Sequence, residues 1–187
     1  GGVGQQMDLS GGYVVVLQHP VTTEHQESRT HVEETLCAIR DCGQPALWFW
    51  PNVDAGSDGT SKGIRSFRES NKNLPIHFFK NFPPEDFLQL LYGSSCIVGN
   101  SSVAIRECSY LGVPAVNIGS RQQGRDRGGN VVDVDYDRYA IHEAIKLQSS
   151  KKERVQDLLY GDGFAGKQIA DLIAKVPLTV QKRLTYE

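Results

Sequence analysis

The sequence predicts an α/β domain, a Rossmann-like parallel sheet with helices on both faces. Three observations carry this. Short apolar runs rich in β-branched and aromatic residues recur along the chain, the pattern of strands buried on both faces. Segments with apolar residues at helical spacing separate them. The two patterns alternate strictly across short connections, as parallel strands joined by crossover helices require.

Residues 13–17 (YVVVL) are the first strand, bounded by Gly12 and Pro20. Residues 27–40 follow as a helix with Val32, Leu36, Cys37 and Ile39 at helical spacing, ended by Gly43. Residues 46–50 (ALWFW) are a second strand, stopped by Pro51. Residues 61–69 read as a helix with Ile64 and Phe67 on one face, and 76–79 (IHFF) as a third strand. The helix over 84–92 opens on prolines and acids, a helix-start signature. Residues 96–98 are a fourth strand, 103–111 a helix, 114–118 a fifth strand and 131–132 a short sixth. Two late helices are predicted over 138–147 and 165–174. The polar, glycine-rich stretch 1–12 reads as a disordered or tag-like leader, 13–176 as the domain and 177–187 as a tail.

Composition excludes several classes. Twenty lysines and arginines against 22 aspartates and glutamates leave a net charge of −2, which argues against a generally basic nucleic-acid or membrane-surface protein. No run approaches the roughly 18 apolar residues of a spanning helix, and the start lacks the apolar core of a signal peptide, so a cytoplasmic protein is expected. Cys37, Cys42, Cys96 and Cys108 form no CxxC pair and read as small hydrophobes rather than a disulfide or zinc framework. His25, His31, His77 and His142 lack metal spacing. No metal and no cofactor are predicted, and neither GxGxxG nor a Walker A motif is present.

In such folds ligands bind beyond the carboxyl ends of strands, so the loops there hold the candidate chemistry. After the fourth strand, Gly99-Asn-Ser-Ser102 leads into a predicted helix. Ser101 and Ser102 at its start suit an anion such as a diphosphate, and Glu107 further on could accept from ribose hydroxyls; alternatively Ser101 is an N-cap and Glu107 a solvated acid. After the fifth strand, Arg121, Arg125 and Arg127 lie among four glycines, suiting phosphate recognition or a solvated loop. His19, past the first strand and held by Pro20, could donate to a phosphate or move a proton, or serve structure alone. Asn52 and Asp54 could meet a sugar or make Asx turns. Phe82 and Phe87 could stack on a base or join the core.

Together, His19-Pro-Val-Thr-Thr-Glu24, Asn52-Val-Asp-Ala-Gly-Ser57, Gly99-Asn-Ser-Ser102 with Arg106-Glu107, Gly112-Val-Pro-Ala-Val-Asn-Ile-Gly-Ser-Arg-Gln122 and Tyr160-Gly-Asp-Gly163 resemble the C-terminal half of the UDP-N-acetylglucosamine 2-epimerases. The likeness is to the hydrolysing branch that feeds sialic-acid synthesis. It implies half of a glycosyltransferase-B-like fold, with UDP held between two Rossmann-like halves. By matching position, Ser101 and Ser102 would hold the diphosphate, Glu107 the ribose hydroxyls, and Arg121 would lie in the nucleotide pocket. His19 matches the active-site histidine, Phe82 and Phe87 the segment that meets uracil, and Asn52 another nucleotide-contacting position. The implied reaction eliminates UDP from UDP-N-acetylglucosamine and adds water to the glycal, releasing N-acetylmannosamine.

The same resemblance assigns the acid/base carboxylates to an N-terminal domain, for which residues 1–12 are too few. The expectation is therefore a UDP-binding half with little or no activity alone, whose partners are UDP, a UDP-N-acetylhexosamine, the missing domain and further copies of itself. Arg65 and Arg68 hint at the feedback site for an activated sialic acid found in animal relatives. Three other readings stay open: an epimerase for another UDP-sugar such as diacetylbacillosamine, a glycosyltransferase of the same fold, and a non-catalytic nucleotide-binding module.

Overall fold

The computed structural model of the chain describes residues 2–4 and 6–177. Residues 178–187, most of the expected tail, lie outside the described residues. The elements run β1 (Val3–Gly4), β2 (Val14–Leu17), α1 (Ser28–Cys42), β3 (Ala46–Phe49), α2 (Ser57–Ser70), β4 (Ile76–Phe79), α3 (Pro84–Gly93) and β5 (Cys96–Gly99). They continue with α4 (Glu107–Leu111), β6 (Ala115–Ile118), β7 (Val131–Val134), α5 (Arg138–Ser149) and α6 (Ala165–Ile173).

One seven-stranded sheet forms, in the order β1-β4-β3-β2-β5-β6-β7. Every pairing is parallel except that of β1, which lies antiparallel on β4 with Val3 opposite Phe78. The leader expected over 1–12 thus contributes a two-residue edge strand, too short to leave a periodic signal. The chain winds outward from β2 through β3 to β4, then returns to place β5 against the other side of β2. The β2/β5 boundary is therefore the topological switch point, where such sheets open a crevice for ligands.

Alternation within the strands builds two cores. Val14, Val16, Trp48, Phe78, Val98 and Val116 face a layer holding α1, α2 and α5, with Leu36, Ile64 and Ile141 buried among them. Val15, Phe49, Ile97 and Ala115 face the opposite layer, where Leu91 and Cys108 come from α3 and α4. Successive side chains point to opposite faces, so runs apolar at every position bury both. Cys96 and Cys108 are fully buried core residues. Burial raises the pKa of both thiols.

One predicted helix breaks. Over 103–111 the structure has a 3₁₀ turn, Ser102–Ala104, followed only at Glu107 by the five-residue α4. The Asn130 side chain donates to the Ala104 carbonyl at 3.1 Å and to that of Val113 at 2.9 Å, occupying an acceptor that a continuous helix would use. The Ser102 carbonyl instead takes both Ile105 and Arg106 N–H groups. No helix among the described residues is long and apolar enough to cross a membrane.

Gly99 ends β5 at φ +134, and a Cβ there would overlap the Leu17 carbonyl oxygen. Gly99→Ala is expected to lower stability by more than about 2 kcal/mol, from backbone strain plus separation of two central strands. Urea denaturation checks this; a shift of a few tenths would contradict it.

Candidate functional site

Asn100, directly after β5, is fully buried and organises the crevice. Its Oδ1 accepts the His19 N–H at 2.7 Å, and its Nδ2 donates to the His19 carbonyl at 2.8 Å. The side chain thus extends the β2–β5 ladder beyond the last backbone pair, Leu17 opposite Gly99. The Asn100 carbonyl in turn accepts from Gln122 Nε2 at 2.8 Å and from Arg121 Nη1 at 3.3 Å. One asparagine therefore gathers the loops after β2, β5 and β6.

His19 is 8% exposed. Its Nδ1 accepts the Asn52 N–H at 3.1 Å, which leaves the proton of the neutral ring on Nε2. Burial, aided by the nearby Arg121 charge and opposed by Asp54, lowers its pKa to about 4. At neutral pH this imidazole is an uncharged donor through Nε2, beside a guanidinium that an anion would complement. Asn52 reaches the site through its backbone; the residue itself is exposed.

Two clefts flank His19. The first, about 360 Å³, brings His19 and Ser101 together with Phe49, Phe82, Phe87 and Lys80. Its aromatic wall is packed: Phe49 lies 5.6 Å from Phe82 and 5.2 Å from Phe87, ring centre to ring centre, the latter edge-on. Phe82 and Phe87 are half-buried against the second core, so each both closes that core and presents an apolar surface. The second cleft, about 540 Å³, is lined by Thr22, Thr23, Glu24, Asp54, Ser120 and Arg121 among others. There the Ser120 hydroxyl donates to the Glu24 carboxylate.

Ser101 is buried and caps the 3₁₀ turn, its Oγ accepting the Val103 N–H at 3.4 Å. Ser102 begins that turn, half-buried. The long helix dipole expected behind these serines is absent, since the turn and α4 are separate and short. Glu107, the first residue of α4, has a buried Oε2 with no hydrogen-bond partner among the described residues. Such a carboxylate oxygen is costly unless something donates to it.

The arginine loop divides. Arg121 faces the crevice. Arg127 pairs with Asp133 at 3.1 Å and donates to the carbonyls of Gln122 and Arg125, so it props the loop rather than waiting for an anion. Arg125 is exposed. Arg65 and Arg68 line a separate cavity of about 510 Å³ beside β1 that shares no residue with either cleft. His31 stacks on Tyr136 at 3.6 Å, parallel within 2°. Asn100 and Gln122 carried no individual signal in the sequence, although Asn100 stood inside the Gly99-Asn-Ser-Ser102 string and Gln122 at the end of the one that begins at Gly112.

A mostly parallel sheet covered on both faces, with polar loops gathered at its switch point, makes this an α/β domain of the glycosyltransferase-B-like fold seen in its structural neighbours. Residues 3–174 match the family model for UDP-N-acetylglucosamine 2-epimerase, and the chain belongs to that family. It is 31% identical over 155 residues to the polysialic acid biosynthesis protein P7 of Escherichia coli, across 79% of this chain and 39% of that protein. It is 32% identical over 138 residues to the UDP-N-acetylglucosamine 2-epimerase of Neisseria meningitidis serogroup B, across 74% of this chain and 36% of that one. The chain thus spans well under half the length of these relatives. The Methanocaldococcus jannaschii UDP-GlcNAc 2-epimerase, solved with UDP-GlcNAc and UDP, superposes with a TM-score of 0.64 at 18% identity, over 87% of this chain and 45% of that one. At that identity the likeness is one of fold.

The depressed His19 pKa has a consequence for stability. The unfolded chain takes up the proton near pH 6.5 and the folded one only near 4, so His19 favours folding above pH 6.5, and that contribution is lost as pH falls toward 4. Its slope is at most about 1.4 kcal/mol per pH unit. Replacing His19 by Gln should flatten the stability profile between pH 6.5 and 4 in urea titrations. An unchanged slope would show that other groups set it.

Proposed function

We propose that the chain is the UDP-binding half of a hydrolysing UDP-N-acetylglucosamine 2-epimerase, acting in the cytoplasm on the route to sialic acid and assembling as a homo-oligomer. The observation that carries the reading is the unpartnered, buried Glu107 Oε2, on the helix that follows Ser101 and Ser102 at the switch point. Ribose hydroxyls would supply its missing donors. Ser101, Ser102 and Arg121 would hold the diphosphate, while Phe82 and Phe87 would offer an apolar face to uracil. Asn52 would act chiefly through the N–H it lends to His19.

In this reading His19, neutral and protonated on Nε2, donates to a phosphate oxygen as the bond from sugar C1 to UDP breaks. Negative charge grows on the departing diphosphate, where a fixed donor and the Arg121 cation lower the barrier. The C2 proton goes to a base, leaving a glycal; water then adds across its double bond to give N-acetylmannosamine. Within the crevice Glu24 is engaged by Ser120, and Asp54 is exposed. The family resemblance places the acid/base carboxylates in a second domain, and the chain alone is expected to bind UDP without turnover.

Calorimetric titration with UDP tests the site. Ser101→Ala and Arg121→Ala should each weaken binding by roughly 1–3 kcal/mol, the range for hydrogen bonds to charged groups. Glu107→Gln, which removes the charge and replaces one acceptor with a donor, should weaken UDP and uridine alike. No heat at millimolar UDP would remove the nucleotide reading. Release of N-acetylmannosamine by the chain unaided would remove the assignment of its catalytic carboxylates elsewhere.

A further inference from the structure

The Tyr160-Gly-Asp-Gly163 string has no part in the crevice described above, yet it is tied to it from behind. After α5 the chain has no regular secondary structure over 151–158, turns at 159–160, and passes α4 and the loop that carries Arg121. Gly112 lets it pass: φ there is +67, and a Cβ would press on the backbone of Arg154 and Val155 at 3.1 Å. The Arg154 guanidinium donates to the Ser94 carbonyl at 2.7 Å, anchoring the segment at its start.

Asp157 then bonds in two directions. Its N–H donates to the Ser109 carbonyl at 3.0 Å, and its own carbonyl accepts from Ser109 Oγ at 3.4 Å. Ser109 is fully buried on α4, two residues after Glu107. The Asp157 carboxylate accepts the Gly129 N–H at 3.2 Å through Oδ2 and the Leu159 N–H at 3.0 Å through Oδ1. Three residues on, the Tyr160 hydroxyl donates to the Asp126 carbonyl at 2.9 Å. Gly128 sits so close beneath this junction that a Cβ would overlap Ser109 Oγ and lie 3.1 Å from Asp157 Oδ2. One short segment thereby fastens the helix bearing Glu107 to the glycine-rich loop bearing Arg121, whose stretch 123–126 is exposed.

We infer that Asp157 and Tyr160 are positioning residues for the anion-facing side of the site: they brace the 121–129 loop against α4 and so hold Arg121 over the crevice. This rests on the proposed nucleotide reading for its ligand, a nucleoside diphosphate, but the brace is a property of the free chain. Without it the loop keeps the Asn100 carbonyl's bonds to Arg121 and Gln122 and the Arg127–Asp133 pair near β7, but loses the ties at Asp126 and Gly129, so that a single 3.3 Å bond is left to hold the Arg121 guanidinium. Arg121 then samples orientations away from the diphosphate, while contacts to ribose and base are untouched.

The test uses Asp157→Ala, Asp157→Asn and Tyr160→Phe in the full chain, with two measurements. Amide hydrogen exchange over 124–129 should quicken about tenfold in Asp157→Ala, as local opening becomes easier, and less in Asp157→Asn, whose one carbonyl oxygen can still accept from Gly129. UDP affinity should fall about threefold to tenfold in Asp157→Ala and Tyr160→Phe, while uridine affinity, followed by NMR titration, stays unchanged. Unaltered exchange overturns the brace whether or not UDP binds. Equal losses for UDP and uridine, or none for either, overturn the positioning role and leave a structural tie. A wild-type chain that fails to bind UDP removes the nucleotide reading and the positioning role with it, and exchange alone then decides whether the segment braces the loop.

Discussion

The side chain of Asn100 continues the central strand pairing past the point where the backbone can. Beyond Leu17 and Gly99 the strands diverge into loops, and their polar groups need partners inside a space closed to water. A primary amide has the right shape, presenting an acceptor and a donor side by side to the N–H and C=O of one residue, here His19. The Asn100 carbonyl then serves Arg121 and Gln122. Leaving such buried groups unpaired costs about 1–3 kcal/mol each, so the three loops are fixed relative to one another by necessity. The positions of the imidazole and the guanidinium follow from that arrangement.

Electrostatics at the crevice then become simple. His19 is neutral because it is buried and faces a cation, and Arg121 is the arginine of its loop turned toward the ligand side. Arg127 is satisfied internally by Asp133 and two carbonyls. An incoming anion therefore meets the Arg121 charge and an oriented Nε2–H, with Lys80 at the edge of the His19 cleft, rather than a diffuse basic surface. A protein whose total charge is −2 can bind a doubly charged group in this way, because the local field, rather than the sum, acts over the few ångströms that matter.

Much of the fold was legible before the structure. The runs YVVVL, ALWFW and IHFF are apolar at every position, which leaves a strand buried on both sides as the natural outcome, and the helical stretches between them set a parallel sheet. Two features escaped. Val3–Gly4 is too short to show periodicity and is defined only by pairing with β4. The break before α4 depends on Asn130, some two dozen residues away, whose amide takes the Ala104 carbonyl. The cluster of His19, Ser101 and Arg121 was readable because all three stand immediately after strands that share one sheet end. The roles of Arg127, Asp157 and Tyr160 were not: Asp157 and Tyr160 bond residues 28 and 34 positions away, and the Arg127 pairing with Asp133 depends on how the loop folds back on β7.

Hydrophobic periodicity and strand-helix alternation are local properties with few global solutions, so the chain alone specified the architecture and the sheet end that carries the polar loops. It also carried the family resemblance, since that rests on strings of neighbouring residues. Only the tertiary structure decided which of several like groups face the crevice. Three arginines and five histidines are chemically interchangeable along a chain. They are told apart when folding buries one imidazole beneath an asparagine, turns one guanidinium toward it and neutralises another at an aspartate.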